Sequence, residues 1–332
     1  MSSSENHPSS WTHVDELNAS CVDDSKSRYE RGALLGTGSW SQVYKVRRRS
    51  DGKVFAGKAS KFQRELRKEV AVLKSLNHVS YLVVLNLEIK QLKECLQNHI
   101  LRYVDWHEEK GNASATLLVM EHCTGGNLQT GIDHSMKGLS GKVILRITVQ
   151  IAGALEYLHG RGQFHTDVKP RNILIRNNDP VDVVLADCAD IQDVASIRRG
   201  PNQTTMTHRS PEIVQTDRHR GTGDDVWALG VTLLAMMQQQ PSLPWTAKAV
   251  EEYPKKCFDH AQRLRALNPG HGTVELAWRM LAWDVRRRAT ATECRERAEG
   301  LLGMAEGEST GDDGTEGLGI KTPEDFTAAA FW

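Results

Sequence analysis

"FHTDVKPRNILI" (164–175) is the stretch whose reading decides the fold. Asp167, Lys169 and Asn172 fall within six residues, between a long apolar run with helical character (143–159) and residues that favour a strand. A carboxylate can accept a hydroxyl proton, an ammonium can hold a transferring phosphate, and an amide oxygen can ligate Mg²⁺. A merely polar loop is the competing reading, and the order and spacing of the three argue against it. Fifteen residues after Asn172, "VDVVLAD" (181–187) ends in Asp187. "RNILI" and "VDVVLAD" flank the turn-forming "RNNDP", which predicts a β-hairpin with Asp187 placed to share a metal ion with Asn172.

Upstream, residues 29–59 read as three strands, with "SDGK" supplying an Asp-Gly turn. "LGTGSW" (35–40) sets Gly36 and Gly38 between the first two. Such a turn lets backbone N–H groups approach phosphates without a Cβ in the way, although two glycines also serve plain hairpin geometry. Lys58, in "AGK", stands among apolar strand residues, where it either snorkels to the surface or neutralises an anion. "RELRKEVAVLKSL" (64–76) has helical spacing at Leu66, Val70, Leu73 and Leu76, and "ATLLVME" (115–121) reads as another strand. From about residue 124 helices dominate, with 143–159 and 224–238 apolar enough to be buried. The expected architecture is α+β: a small β-rich lobe followed by a larger helical lobe, without solenoid repeats.

Lys plus Arg and Asp plus Glu both number 42, which gives no electrostatic case for nucleic acid or an anionic membrane as partner. No apolar stretch has membrane-spanning length, and the polar start "MSSSENHPSS" has no signal-peptide core, so an intracellular location is expected. Cys21, Cys95, Cys123, Cys188, Cys257 and Cys294 form no C-x-x-C pair and read as reduced thiols. Residues 1–28 read as a disordered arm and 303–332 as a flexible acidic tail, "FTAAAFW" at its end being a candidate docking segment. "VRRRS" (46–50) reads as a solvated hairpin end.

In their order these residues resemble the eukaryotic protein kinase family over roughly 30–302. "LGTGSWSQV" matches its glycine-rich loop, "AGK" its third-strand lysine, "HTDVKPRN" its catalytic loop and "DCA" its metal-binding position. "SPE" (210–212), "DVWALG" (225–230) and "DVRRR" (284–288) follow in family order. The resemblance implies a bilobal fold, with an N-lobe and hinge over 29–123 and a C-lobe over 124–302. It implies ATP and Mg²⁺ as cofactors and protein serine or threonine hydroxyls as substrate. Lys58 would contact the α/β-phosphates and pair with Glu69 of "KEVAVLKSLNH". Leu35, Gly36, Gly38, Val43 and Ala56 would cover the nucleotide. Met120 would be the gatekeeper, with Glu121 to Cys123 as the hinge. Asp167 would be the base, Lys169 the phosphate clamp, Asn172 and Asp187 the Mg²⁺ ligands, and Arg288 the partner of Glu212. A lysine two residues after the base is the Ser/Thr-directed form of the loop.

The sequence also departs from the family. Ser41 stands at the third glycine, which predicts altered closure of the loop. Thr166 replaces the arginine beside Asp167, so activity is expected not to depend on activation-segment phosphorylation at Thr204, Thr205 or Thr207. Loss of phosphotransfer in the folded triple alanine variant would overturn that. "DCA" puts Cys188 where a phenylalanine packs under the C-helix and Ala189 at a glycine hinge; Cys188 reads either as a small buried hydrophobe or as a reactive thiol. About twenty residues between His78 and His99 exceed the family's connection. They are either an insertion, with Glu88 a rival partner for Lys58, or an intron read as coding sequence over 79–91, which sequencing the transcript decides. The leading reading is an active Ser/Thr kinase. The alternatives are a pseudokinase, an ATP-binding signalling scaffold without turnover, and a small-molecule phosphotransferase, which predicts neither Lys169 nor "SPE" nor "DVWALG".

Overall fold

The computed structural model of the protein describes residues 27–38, 40–77, 99–108, 116–135, 138–196, 205–216, 221–242 and 246–307. Residues 1–26 of the arm expected over 1–28, the stretch 79–91 with Glu88, Thr204 and the tail from 308 lie outside them, whereas Ser27 is buried and hydrogen-bonded to His107 and Arg28 pairs with Asp105.

The β-rich lobe is an antiparallel sheet of β1 (Tyr29–Thr37), β2 (Ser41–Arg48), β3 (Val54–Ser60), β4 (Tyr103–His107) and β5 (Leu117–Met120), ordered β1-β2-β3-β5-β4. Gly52, at φ +72°, takes the left-handed corner between β2 and β3 that a side chain would strain. Alternation divides the faces. Tyr29, Val46, Leu117 and Val119 cluster on one, where a Cβ at Gly57 would lie 2.7 Å from Val46 Cγ1. Leu118 and Met120 belong to the main core together with Leu66, Val70, Leu73 and Leu76 of α1 (Gln63–Asn77). This apolar stripe along α1 is the one its sequence spacing predicted.

The helical lobe is built on α2 (Leu128–His134), α3 (Gly141–His159), α4 (Pro211–Thr216), α5 (Thr222–Met236), α6 (Ala247–Leu267), α7 (Gly272–Met280) and α8 (Ala291–Gly307). A short pair, β6 (Gln163–Phe164) with β9 (Gln192–Asp193), and the expected hairpin β7 (Ile173–Asn178) and β8 (Val181–Leu185) lie beside it. The fold is therefore bilobal α+β. Every residue of α5 from Asp224 to Met236 is buried, and a helix apolar all round belongs at a core centre. Leu101 N–H donates to Leu185 O at 2.9 Å, and Leu185 N–H to His99 O at 2.8 Å, tying the approach to β4 to β8. The last helix runs to Gly307, past the boundary expected at 303; Leu301 and Leu302 pack against the core, and Glu306 pairs with Arg146 of α3 at 2.5 Å. No helix among the described residues is long and apolar enough to cross a membrane.

Two polar groups sit at the start of α5. Arg288, 1% exposed in its side chain, pairs with Glu212 at 2.8 Å, donates to Gly223 O at 2.9 Å and lies 5.0 Å from the Trp227 ring. Asp224 accepts from Ser210 Oγ and from Gly221 N–H. Burial pushes its pKa up to about 7, which these hydrogen bonds only partly oppose. A folded-state pKa above the ordinary value near 4 contributes stability that is full below about pH 4 and lost as pH rises through about 7. The thermal midpoint of the wild type is thus expected to fall between pH 5 and 8 more steeply than that of Asp224→Asn. Equal slopes would refute this account.

Candidate active site

The sheet register gathers the predicted nucleotide residues on one face. Gly36 pairs with Val43, Val43 with Lys58, Lys58 with Leu118, and Ala56 with Met120. Directly opposed residues share a face, and Ala56 and Lys58, two apart, share it as well. Leu35, just before Gly36 on β1, is 45% exposed. Ser41 opens β2 opposite Ser60 and takes no positive φ, so the third glycine's freedom is not needed there. After Met120 the Glu121 side chain is held by Arg176 through two 2.9 Å hydrogen bonds and accepts from Arg102 N–H at 2.7 Å. Among the described residues the Glu121 carbonyl and the Cys123 N–H have no partner, which leaves one acceptor and one donor for a planar base.

Lys58 Nζ lies 2.7 Å from Glu69 Oε2, 3.0 Å from Glu69 Oε1 and 3.1 Å from Asp187 Oδ1. Burial opposes the ammonium's charge, but the Glu69 and Asp187 carboxylates outweigh it and raise the pKa of Lys58 above its ordinary value. Burial likewise opposes the charge on Asp187, and Lys58 outweighs it, holding that carboxyl below the usual range. Asp187 takes a left-handed conformation, φ 63°, which its short polar side chain tolerates. The following turn, Cys188–Asp190, packs under α1, and Cys188 is 1% exposed with burial raising its thiol pKa. Cys188 is a small buried hydrophobe and not a reactive thiol.

The loop before β7 is gripped from below. Asp225, buried at the start of α5, accepts from His165 N–H at 2.7 Å, Thr166 N–H at 2.9 Å and His159 Nε2 at 2.9 Å. Thr166 sits at φ 76°, an outlier for a β-branched residue that costs about 1–3 kcal/mol, and its hydroxyl donates to Asp190 O at 3.2 Å. Asp167 receives Lys169 Nζ at 2.6 Å, Asn172 Nδ2 at 3.0 Å, Thr205 Oγ1 at 2.9 Å and Thr205 N–H at 3.1 Å. Burial raises its pKa, yet these donors win and keep it below the ordinary carboxylate value. Thr205 also accepts from Lys169 Nζ at 2.8 Å. The sequence had offered Thr205 only as a phosphorylation candidate. It also bonds Asp167 and Lys169, so its alanine variant would disturb that network as well, and the phosphosite test is cleaner on Thr207, outside the network.

The donor set fits Mg²⁺ better than a closed metal site. The Asn172 amide nitrogen is spent on Asp167, leaving Oδ1 as the ligating atom, and the Asp187 side chain is 47% exposed. Among the described residues no cluster of three or more His, Cys, Asp or Glu can hold a metal, and Mg²⁺ typically takes one or two protein ligands plus phosphate oxygens and water.

Sheet, α1 and catalytic loop together define the bilobal protein kinase fold. The chain belongs to the protein kinase family: the family's model, Protein kinase domain, matches residues 29–298. It is 30% identical over 265 residues to the human serine/threonine-protein kinase ULK3, covering 76% of this chain and 51% of that one. Human serine/threonine-protein kinase ULK1 is 29% identical, over 62% of this chain and 19% of its own length. CBL-interacting serine/threonine-protein kinase 2 of Arabidopsis thaliana is 27% identical, over 63% and 43%. The chain thus spans about half or less of these curated relatives. A chain in a structure of the CAK complex from Chaetomium thermophilum bound to ATP-gamma-S shares the fold, with TM-score 0.65 and 22% identity over 82% of this chain and 91% of that one.

Proposed function

We propose that this chain is an active protein serine/threonine kinase that uses Mg·ATP. The observation that carries the reading is the assembled set: Lys58 paired with both Glu69 and Asp187, and Asp167 joined to Lys169, Asn172 and Thr205. Adenine would lie under Val43 and Ala56 against Met120, with its edge on the Glu121 carbonyl and Cys123 N–H. Lys58 would hold the α/β-phosphates, and Gly36 and Gly38 would admit them close to the backbone. Asn172 and Asp187 would hold Mg²⁺, which when bound neutralises charge on the phosphates.

Asp167 would orient the substrate hydroxyl and take its proton as the oxygen bonds to the γ-phosphorus. The bond to the departing ADP oxygen breaks, while Lys169 balances charge on the transferred group. The serine/threonine relatives and Lys169 support the hydroxyl class of substrate. The strained Thr166 and the substituted Cys188 and Ala189 favour the second reading, a scaffold that binds ATP without turning it over. Radiolabelled ATP with a generic basic protein separates the two. Label transfer abolished by Asp187→Asn supports the kinase. A rise in thermal midpoint with ATP but no transfer supports the scaffold.

A further inference from the structure

Trp40, in the β1–β2 turn, is the most exposed large hydrophobic side chain among the described residues, at 69%. Its neighbour is Phe62, 50% exposed, just before α1; the rings meet edge to face with centroids 5.3 Å apart, a favoured aromatic geometry. Ser60 ties the two backbones together. Its hydroxyl donates to Trp40 O at 2.7 Å and accepts from Phe62 N–H at 3.1 Å. Phe62 O in turn accepts from Glu65 N–H at 3.1 Å and Leu66 N–H at 3.3 Å, closing the first turn of the helix that carries Glu69. Contacts therefore run without a break from the glycine-bearing turn to the helix whose Glu69 holds Lys58. Beneath, α1 rests on the turn that carries the small Cys188.

We propose that Trp40 and Phe62 are positioning residues: their contact couples the glycine-rich turn to the N-terminal end of α1. Nucleotide phosphates at the turn and the Lys58–Glu69 pair then stabilise each other. This deepens the nucleotide-binding part of the reading above and rests on it. Coupling of this kind is reciprocal, so ATP orders α1 by the same factor by which an ordered α1 tightens ATP.

The test uses the full chain and amide hydrogen exchange over 63–70, with and without Mg·ATP. The proteins compared are wild type, Trp40→Ala, Phe62→Ala, the double variant and Trp40→Phe. Either alanine variant is expected to exchange about two- to tenfold faster over 63–70 and to bind ATP more weakly by a similar factor. The double variant should be no worse than either single one, and Trp40→Phe should stay near wild type. Exchange over the buried helix 222–236 should not change. Unaltered exchange over 63–70 in Trp40→Ala, or effects that add in the double variant, would overturn the proposal. A wild type that fails to bind ATP removes the nucleotide reading, and the ATP-free exchange comparison still decides the coupling.

Discussion

Asp167→Asn is expected to lower phosphotransfer by about 10²–10⁴-fold, the usual contribution of a positioned base, while ATP binding and the fold persist. The geometry explains why the loss is selective. Lys58, Glu69 and Asp187 form a separate group in contact with each other and not with the Asp167 carboxylate. Asp167 instead organises the acceptor side, where four donors from Lys169, Asn172 and Thr205 converge on its two oxygens. An asparagine there offers one acceptor oxygen and an amide that must face a donor, so proton acceptance is lost and the Lys169 contact weakens together. Initial rates with an ATP-binding measurement check this. Turnover within tenfold of wild type would remove Asp167 as the base.

Arg288→Ala is expected to destabilise the fold by about 3–5 kcal/mol, the range for breaking a buried ion pair from one side. At this size that lowers the thermal midpoint by roughly 10 °C. The guanidinium binds Glu212 with two nitrogens, at 2.8 and 3.3 Å, and also satisfies Gly223 O and Ala282 O. Its removal takes two donors from the Glu212 carboxylate and one from each of two carbonyls at once. Arg288→Lys should recover little, because an ammonium cannot present a planar fork to Glu212 while reaching both carbonyls. Recovery of most of the midpoint by lysine would show that charge alone matters there. Chemical or thermal unfolding of the purified variants reads the result.

Much of this was legible in the sequence because the chemistry is written in short segments. Asp167, Lys169 and Asn172 lie within one loop, and a hairpin with an obvious turn returns Asp187 to them. The apolar spacing gave the helix α1, the resemblance to the kinase family singled out Glu69 on it, and in the structure Glu69 meets Lys58. What stayed hidden depends on distance along the chain. Thr205 meets Asp167 across 38 residues, and no local pattern distinguishes a threonine bound to a carboxylate from one awaiting modification. Trp40 and Phe62 are 22 positions apart, and nothing local in the sequence links them. The helix α8 continues past 303 although Gly303 and the acids after it resemble a tail, since its packing on the core and the Glu306 contact with α3 are long-range.

Asp225 fastens the backbone of His165 and Thr166 to the most enclosed helix of the molecule. The segment that bears Asp167 is therefore held to the core of the larger lobe and is not a free surface loop. Fraying of the sheet breaks none of these bonds, since both partners lie in the larger lobe. The Lys58 side of the proposed site is tied to this lobe through side chains, at Asp187 and, below the hinge, between Arg176 and Glu121. In the kinase reading, chemistry here would be a meeting between a fixed floor and a ceiling brought to it.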